Sequence, residues 1–317
     1  MQKPPPNNYF AGPYLDRRAA ERESGDWLAQ AHEDADTLYI AASGTMLLVR
    51  AGDLPAAALC SREELGAAGV GADRATLLGW FRGARCVLLD LSDVAHFMPP
   101  PGTQFAELRP LAPRIESDEA GLLAYARALQ IWRQSHRHCS ACAAPTTASR
   151  AGHVLVCSNP DCRREAFPRI DPAIIVLVSD GDRALLGRQA SWPRGRYSTI
   201  AGFVEPGESL EDAVAREVYE ESGVEVDAVH YHSSQPWPFP SSLMLGFHAT
   251  ARPGSMPRGS DELEDVRWFS RADIANGQPI MPPSVSISYR LIESWFNAGS
   301  DIPLANQQRA SHWRGTQ

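Results

Sequence analysis

Residues 202–224 of the chain read GFVEPGESLEDAVAREVYEESGV. Ser209 precedes Asp212 by three residues, a spacing typical of a capping box at the start of a helix. Gly223 favours the end of the same helix, because glycine readily adopts the left-handed conformation of a C-terminal cap. The sequence therefore predicts a helix between Ser209 and Gly223.

An acidic face runs along this predicted helix. Glu217, Glu220 and Glu221 stand at positions i, i+3 and i+4, so their side chains share one face. Neighbouring like charges destabilise a bare helix, whereas Mg²⁺ and Mn²⁺ prefer carboxylate ligands and relieve the repulsion. A cation site and a solvated acidic surface are the two interpretations that the helix alone allows.

The spacing of the flanking residues is more specific than the face itself. Gly202 is followed after five residues by Glu208, and the sequence REVYEESGV (216–224) follows after seven more. This pattern resembles the Nudix box at every fixed position. The resemblance implies an α/β fold, the Nudix α/β/α sandwich around a mixed sheet. It also implies hydrolysis of a nucleoside diphosphate linked to another group, and an Arg216 side chain that pairs with Glu208.

The resemblance also implies a set of ligands for catalytic Mg²⁺ or Mn²⁺. Glu217 and Glu221 are expected to bind the metal, and Glu220 to be a further ligand or to activate water. Glu262 matches a metal-binding glutamate downstream of the box, with a solvated loop acid as the alternative interpretation. Ala201 matches a backbone contact to the metal.

Residues 234–241 read SQPWPFPS. The interleaved prolines exclude a central strand, and a rigid loop with aromatic rings packed on the core is one interpretation. The segment also resembles the SQPWPFP motif of the NADH pyrophosphatase (NudC-like) subfamily. That resemblance implies substrate contacts from Ser234, Gln235, Pro236, Trp237, Pro238, Phe239, Pro240 and Ser241.

Four further residues match substrate-binding positions of this subfamily. Phe167 and Phe203 match aromatic residues that flank a ring of the substrate, although both are equally suited to a core. Ser288 matches a small residue that contacts substrate, and Arg109 matches a substrate-binding arginine of the N-terminal domain.

A cysteine cluster precedes the box. Two residues lie between Cys139 and Cys142, four lie between Cys157 and Cys162, and fourteen separate the two pairs. This spacing suits two knuckles that present thiolates to one tetrahedral Zn²⁺ of structural role, since four cysteines leave no open coordination position. Two disulfides and an empty site are the alternatives.

The length of 317 residues and the hydrophobic content of 44% indicate a globular protein of two or three units. By resemblance we expect a smaller N-terminal α/β domain (1–115), a linker helix and four-cysteine zinc ribbon (116–168), the Nudix domain (169–300) and a C-terminal tail (301–317). Apolar runs predict strands at Leu38–Ala42, Met46–Val49, Cys86–Leu89 and 173–178, and helical spacing predicts a helix over 117–135.

The net charge of −8 argues against a large binding surface for polyanions such as duplex DNA. The sequence shows neither a signal peptide nor an apolar run of about 18 residues, so we expect a cytoplasmic protein without a membrane span. A homodimer is implied by the subfamily resemblance only.

Three functional hypotheses follow. The main one is hydrolysis of the pyrophosphate of NADH, and less selectively of NAD⁺, to AMP and the nicotinamide mononucleotide. A second is preference for another diphosphate, such as ADP-ribose, a diadenosine polyphosphate or the NAD cap of RNA. A third is a non-catalytic module that senses nucleotides, against which the complete set of glutamates argues.

Overall fold

The computed structural model describes residues 8–66 and 71–313, and these fall into two compact units. The N-terminal unit is the described part of Phe10–Ile170 together with Trp237–Ser241. The C-terminal unit is the described part of Met1–Tyr9, Asp171–Pro236 and Ser242–Gln317. The predicted N-terminal domain and tail each include residues outside the described ranges.

The N-terminal unit contains two sheets and three α-helices among its described residues. Its strands are β1 (Leu15–Asp16), β2 (Leu38–Ser43), β3 (Met46–Arg50), β4 (Ala56–Ala57), β5 (Ala75–Phe81), β6 (Ala84–Asp90), β7 (Thr103–Ala106), β8 (Thr146–Ser149), β9 (Val154–Cys157) and β10 (Glu165–Ala166). Its helices are α1 (Trp27–Glu33), α2 (Leu108–Leu111) and α3 (Ser117–Ser135). All three strands predicted in this region are confirmed, as is the helix over 117–135.

The larger sheet of this unit has the order β1-β5-β6-β2-β3-β4, with β7 paired to β3. Strand β2 is buried on both faces, because Tyr39 and Ala41 join a core with α1 while Ile40 is also fully buried. Helix α3 packs against β2, β3 and β4. The proline-rich stretch after Phe97 contributes β7, so part of it belongs to the sheet.

The C-terminal unit is built on a mixed sheet of six described strands. The strands are β11 (Asp171–Asp180), β12 (Arg183–Arg188), β13 (Ile200–Phe203), β14 (Val226–Trp237), β15 (Ser242–Ala251) and β16 (Asp265–Ser270). The helices are α4 (Leu210–Ser222), α5 (Arg271–Ala275) and α6 (Ile287–Ala298). The order is β14-β15-β11-β12-β16, with β13 paired to β11.

The side chains of strand β11 point alternately into two cores, one on each face of the sheet. Ile174, Val176 and Val178 join the core that contains α4, whereas Ile175 and Leu177 join the core that contains α5 and α6. A strand covered on both faces reads as a continuous apolar run, as predicted for AIIVLV. The α/β/α sandwich expected from the sequence is therefore confirmed.

The helix α4 follows its predicted bounds. The Ser209 hydroxyl accepts a hydrogen bond from the Asp212 amide, and the Asp212 carboxylate accepts one from the Ser209 amide. Gly223 ends the helix with φ of 68°. These local interactions set the rotation of the helix, and with it the direction of the glutamate face.

Residues beyond the predicted end of the Nudix domain pack on the C-terminal unit. Leu304 is buried in the core that contains α6. Further on, the Met281 amide donates to the Ser311 carbonyl and the Trp313 amide donates to the Met281 carbonyl, both at 2.9 Å. Within the described residues, no helix is both long and apolar enough to cross a membrane.

Candidate active site

Arg216 organises the carboxylates of the box. Its guanidinium donates to both oxygens of Glu208, at 2.6 and 2.9 Å, and to Glu217 at 2.9 Å and Glu220 at 3.0 Å. It also donates to the Phe203 carbonyl at 2.9 Å. The Glu208 partnership, joined by the Glu205 amide, lowers the pKa of Glu208 to about 2. The pairing of Arg216 with Glu208 expected from the sequence is present.

The three glutamates of the face differ in exposure. Glu221 is only 7% exposed, Glu217 is partly buried, and Glu220 projects into solvent. Burial raises the pKa of Glu221 to about 8, and the charges of Glu217, Glu262 and Glu220 add to the effect. Burial likewise raises the pKa of Glu217, while its bonds to Arg216 oppose the rise. Such buried, mutually repelling carboxylates are the donor set that a hard divalent cation stabilises.

Glu262 and Ala201 belong to other elements of the same unit. Glu262 is exposed on the loop before β16, near enough for its charge to act on Glu217 and Glu221. Ala201 lies on β13 and is paired with Ile175 of β11. The carboxylates lie near one another, but their oxygen atoms do not gather around one point. In the described residues, only the cysteine cluster brings three or more ligand atoms within 4.8 Å of one another.

The four cysteines of the ribbon form that compact group. The sulfur atoms of Cys139 and Cys162 are 3.8 Å apart, and those of Cys142 and Cys157 are 3.4 Å apart. A tetrahedral Zn²⁺ with Zn–S bonds of about 2.3 Å requires S–S distances of about 3.8 Å. The thiols are free, so the alternative of two disulfides is not what the structure shows. The donors and their spacing fit zinc.

The longer second knuckle has a local explanation. Asn159 accepts a hydrogen bond from the Asp161 amide through its side chain and from the Cys162 amide through its carbonyl. This turn accommodates the four residues between Cys157 and Cys162.

Gln235 is the most deeply placed residue of the SQPWPFPS segment. Its side chain is fully buried and donates to the carbonyls of Tyr9 and Val285, at 3.0 and 2.8 Å. Its carbonyl oxygen accepts from the Ile287 amide at 2.8 Å. Both ends of the amide are thus occupied by backbone groups, and the side chain ties β14 to the start of α6.

Ser288 is also an internal residue, with 3% of its surface exposed. Its hydroxyl lies 2.9 Å from the Ser198 hydroxyl and accepts from the amide and hydroxyl of Thr199 at 3.1 and 2.8 Å. The contact ties α6 to the chain that leads into β13. The structure therefore places Ser288 in the interior, beside Ser198 and Thr199.

Trp237 and Phe239 lie in an aromatic cluster of the N-terminal unit. Their rings meet edge to face with centroids 5.1 Å apart, and both are half-buried. The Arg109 guanidinium lies 5.8 Å from the Trp237 ring and 6.0 Å from the Phe239 ring. The structure thus brings Arg109 together with the aromatic residues of the segment. The two prolines beside Phe239 lie in the same loop, Pro238 on one side and Pro240 on the other.

The remaining predicted substrate residues are accessible. Phe203 is 59% exposed and Phe167 is 57% exposed, so neither is a core residue. Pro236 and Ser234 are partly buried, and Ser241 lies at the end of the loop. Exposed phenylalanines are free to stack on a planar ligand.

The sequence reasoning missed residues at the beginning of the described chain. The Asn8 side chain donates to the Ser233 hydroxyl at 2.9 Å and to the Ser234 carbonyl at 2.8 Å. The following Tyr9 provides the carbonyl that Gln235 binds. The stretch PPPNNYF carries no recognisable motif, so only the fold reveals these contacts.

Comparison with known proteins assigns the class of the catalytic unit. Residues 169–287 match the family model described as NUDIX domain. Residues 36–132 match the model of an NADH pyrophosphatase-like rudimentary NUDIX domain, and residues 134–167 match that of the NADH pyrophosphatase zinc ribbon domain.

Whole-chain relatives agree with the family models. The NAD-capped RNA hydrolase NUDT12 of Macaca fascicularis is 32% identical, in a match that covers 93% of this chain and 74% of the relative. The NAD-capped RNA hydrolase NudC of Pseudomonas putida (strain W619) is 41% identical, over 71% of this chain and 79% of the relative. The chain therefore belongs to the NADH pyrophosphatase (NudC-like) subfamily of the Nudix hydrolases, with a zinc ribbon between its two Nudix-type domains.

Proposed function

We propose that the protein hydrolyses the pyrophosphate bond of NADH, and less selectively of NAD⁺, to AMP and the nicotinamide mononucleotide. One observation carries the proposal: the complete glutamate face is held by Arg216 in a chain of this subfamily. The relatives are named for hydrolysis of NAD-capped RNA, and the pyrophosphate of the cap is the same bond. Removal of the NAD cap from RNA is therefore part of the proposed activity.

The proposed catalytic metal is Mg²⁺ or Mn²⁺, held by Glu217, Glu220, Glu221 and Glu262 with the carbonyl of Ala201. When bound, such an ion neutralises the two phosphates and lowers the pKa of a water molecule. We assign to Glu220, the exposed member, the role of a further ligand or of the residue that activates water. Glu221 and Glu217 are more buried than Glu220, and Glu217 also accepts a hydrogen bond from Arg216, which suits ligands.

Arg216 acts in this proposal through the carboxylates, not on the substrate. Within the described residues its hydrogen bonds go to protein oxygens, namely those of Glu208, Glu217, Glu220 and Phe203. It holds the glutamate face next to Glu208 of the loop that precedes α4.

Substrate recognition is assigned to the exposed rings and to the SQPWPFPS segment. Phe203 and Phe167 are accessible for stacking on a nicotinamide or adenine ring. Trp237 and Phe239, with Arg109 beside them, offer aromatic surface and positive charge for a nucleotide. For Gln235 and Ser288 the saturated hydrogen bonds favour a supporting role over direct contact. The proposed substrate segment is completed by Ser234, Pro236, Pro238, Pro240 and Ser241.

The zinc of the ribbon has a structural role in this proposal, because four thiolates fill a tetrahedral coordination shell. The domain boundaries at 115, 168 and 300, a homodimeric state and a cytoplasmic location complete the proposal. Light scattering of the purified protein tests the dimer, and cell fractionation tests the location.

A product-resolved assay tests the proposed reaction. NADH, NAD⁺, ADP-ribose and an NAD-capped oligonucleotide are each incubated with Mg²⁺ or Mn²⁺, and the products are separated. We expect AMP and the reduced nicotinamide mononucleotide from NADH, with the highest kcat/KM in the NADH and capped-RNA reactions. If AMP is released neither with Mg²⁺ nor with Mn²⁺, the proposal is refuted. Tight binding of NADH without turnover would support the sensor hypothesis instead.

A further inference from the structure

The Trp237–Ser241 loop is held by side chains that no motif singles out. Arg127, on α3, is only 7% exposed and donates a hydrogen bond to the Pro238 carbonyl. Its guanidinium also lies over the Phe239 ring, with 4.9 Å between Cζ and the ring centroid. One buried cation thus contacts both the backbone and an aromatic ring of the loop.

The charge of Arg127 is balanced within the same unit. Its Nη2 lies 3.4 Å from Oε2 of Glu107, whose other oxygen accepts a hydrogen bond from the Thr45 hydroxyl. A buried guanidinium is stabilised by a carboxylate partner and by planar stacking, and no other side chain combines the two. Arg127 therefore links Glu107, which it contacts through Nη2, to the loop, which it contacts through Nη1.

Phe10 packs against the same loop. Its ring meets those of Trp237 and Phe239 edge to face, with centroids 6.0 Å apart in each case. Phe10 is 1% exposed and has φ of 69°, a left-handed conformation that is unfavourable for a phenylalanine. Such a conformation persists only where the surroundings hold it, so the packing against the two rings outweighs the backbone cost.

We propose that Arg127 and Phe10 are positioning residues that hold the Trp237–Ser241 loop in its substrate-binding conformation. The inference rests on the proposed function in one respect, the substrate contact of the loop. It gives the N-terminal unit a specific task, which is to pre-order the aromatic residues that bind the nucleotide. A pre-ordered loop loses less conformational freedom on binding, so its loosening weakens binding and leaves the chemical step unchanged.

The chain provides a matched control for Arg127. Arg133 lies on the same helix and donates to the Ala75 and Asp73 carbonyls, at 2.8 and 2.5 Å, away from the loop. The variants Arg127→Met and Arg133→Met therefore each remove a half-buried or buried cation that binds backbone carbonyls. Only the first removes a contact to the loop.

The test combines hydrogen exchange with NADH kinetics on the full chain. In Arg127→Met we expect faster amide exchange at Trp237, Phe239 and Ser241, and a KM for NADH raised about tenfold with kcat unchanged. Arg133→Met is expected to match the wild type in both measurements. Unchanged exchange in Arg127→Met, faster exchange without a change in KM, or equal effects in both variants would overturn the proposal.

A second pair covers the case in which Arg127→Met does not fold. Phe10→Leu is compared in the same way with Phe81→Leu, which trims a fully buried ring of the same unit away from the loop. Failure of the proposed function is recognised separately, because the wild type would then release no AMP from NADH. The exchange measurement needs no turnover and still decides whether the two residues hold the loop.

Discussion

A Cβ atom added at Gly202 would overlap the carboxyl group of Glu217. Gly202 lies on β13, paired with Ile174 of β11, and α4 crosses this strand with Glu217 directly above it. The first glycine of the box is therefore required by space and not by backbone conformation. Its absent side chain lets the helix carry Glu217 onto the strand that contains Ala201.

Gly202→Ala is expected to fold but to lose activity. The added methyl group displaces the Glu217 carboxylate, and a displacement of about 1 Å at a reacting group can cost about 100-fold in rate. Steady-state kcat with NADH and thermal unfolding are the measurements. Gly25→Ala is the control, because a Cβ there meets no atom within 4 Å. Wild-type kcat in Gly202→Ala would show that Glu217 is not needed where the structure places it.

Glu221→Gln removes the charge of the most buried glutamate and keeps its shape. We expect kcat to fall by at least about 100-fold, since even outer-shell changes at metal sites cost about 10- to 100-fold. The unfolding temperature should stay near that of the wild type. Glu211→Gln, an exposed residue in the first turn of α4, is the control. Near wild-type turnover would remove Glu221 from the catalytic set.

Gln235→Leu distinguishes support from substrate contact. The change removes three hydrogen bonds between Gln235 and backbone groups, those of Tyr9, Val285 and Ile287. Each unsatisfied buried group costs about 1–3 kcal/mol, so we expect the free energy of unfolding to fall by about 3 kcal/mol or more. Urea unfolding measures the loss, with His230→Gln on the exposed side of β14 as the control. A higher KM at unchanged stability would instead indicate that Gln235 binds substrate.

Cys157→Ser is expected to release the zinc of the ribbon. Cys157 is fully buried, and its sulfur lies 3.4 Å from the sulfur of Cys142. The serine hydroxyl is a weaker zinc ligand than the thiolate it replaces, so the site loses an internal ligand. Metal analysis should find one zinc per chain in the wild type and a clear deficit in the variant. The control is Cys86→Ala, which changes a buried cysteine of the larger N-terminal sheet. This variant should contain as much zinc as the wild type. Equal zinc contents in Cys157→Ser and the wild type would contradict the four-thiolate site.

His153 gives the protein a defined acid sensitivity. Burial lowers the pKa of His153 to about 4, with the charges of Arg22, Arg17 and Arg133 adding to the effect and the hydrogen bond to the Leu77 carbonyl opposing it. The folded-state pKa lies below the unfolded value of about 6.5, so the unfolded chain binds more protons between these values. The contribution of His153 to the free energy of unfolding is therefore fully present above about pH 6.5. It decreases as the pH falls toward 4, by up to about 3 kcal/mol.

His153→Gln keeps a donor for Leu77 and removes this titration. Urea unfolding from pH 4 to 7 should show a smaller loss of stability in the variant than in the wild type. The comparison with the wild type cancels any acid release of zinc, which affects both proteins. His96→Gln, at an exposed position, should follow the wild-type curve. Parallel curves for all three proteins would show that His153 is not the sensitive group.

The parts of the fold that could be predicted are those with local causes. The capping box of Ser209 and Asp212, the stop at Gly223 and the apolar run of β11 each determine structure within a few residues. The cysteine spacing belongs to the same class, because two short knuckles form their own turns. Residue identity and spacing were enough in these cases.

The roles of Gln235 and Ser288 depend on partners distant in the chain. The amide of Gln235 binds Tyr9 and Val285, and the hydroxyl of Ser288 binds Ser198 and Thr199. A motif indicates that such a residue is needed, but whether it faces the ligand or the interior depends on packing. Arg127 shows the opposite case, since a lone arginine on an amphipathic helix carries no sequence signal of its contact with Pro238.

The zinc ribbon and the proposed catalytic metal site have opposite chemical preferences, and this affects how a loss of activity is interpreted. The ribbon offers four soft thiolates, whereas the acidic face of α4 offers hard oxygen donors. A strong chelator acts on both, so lost activity can reflect a collapsed scaffold or a missing catalyst. The order of reconstitution separates the two cases. If the proposed catalytic ion alone restores activity, the ribbon kept its zinc, whereas a requirement for zinc first means that the scaffold had been lost.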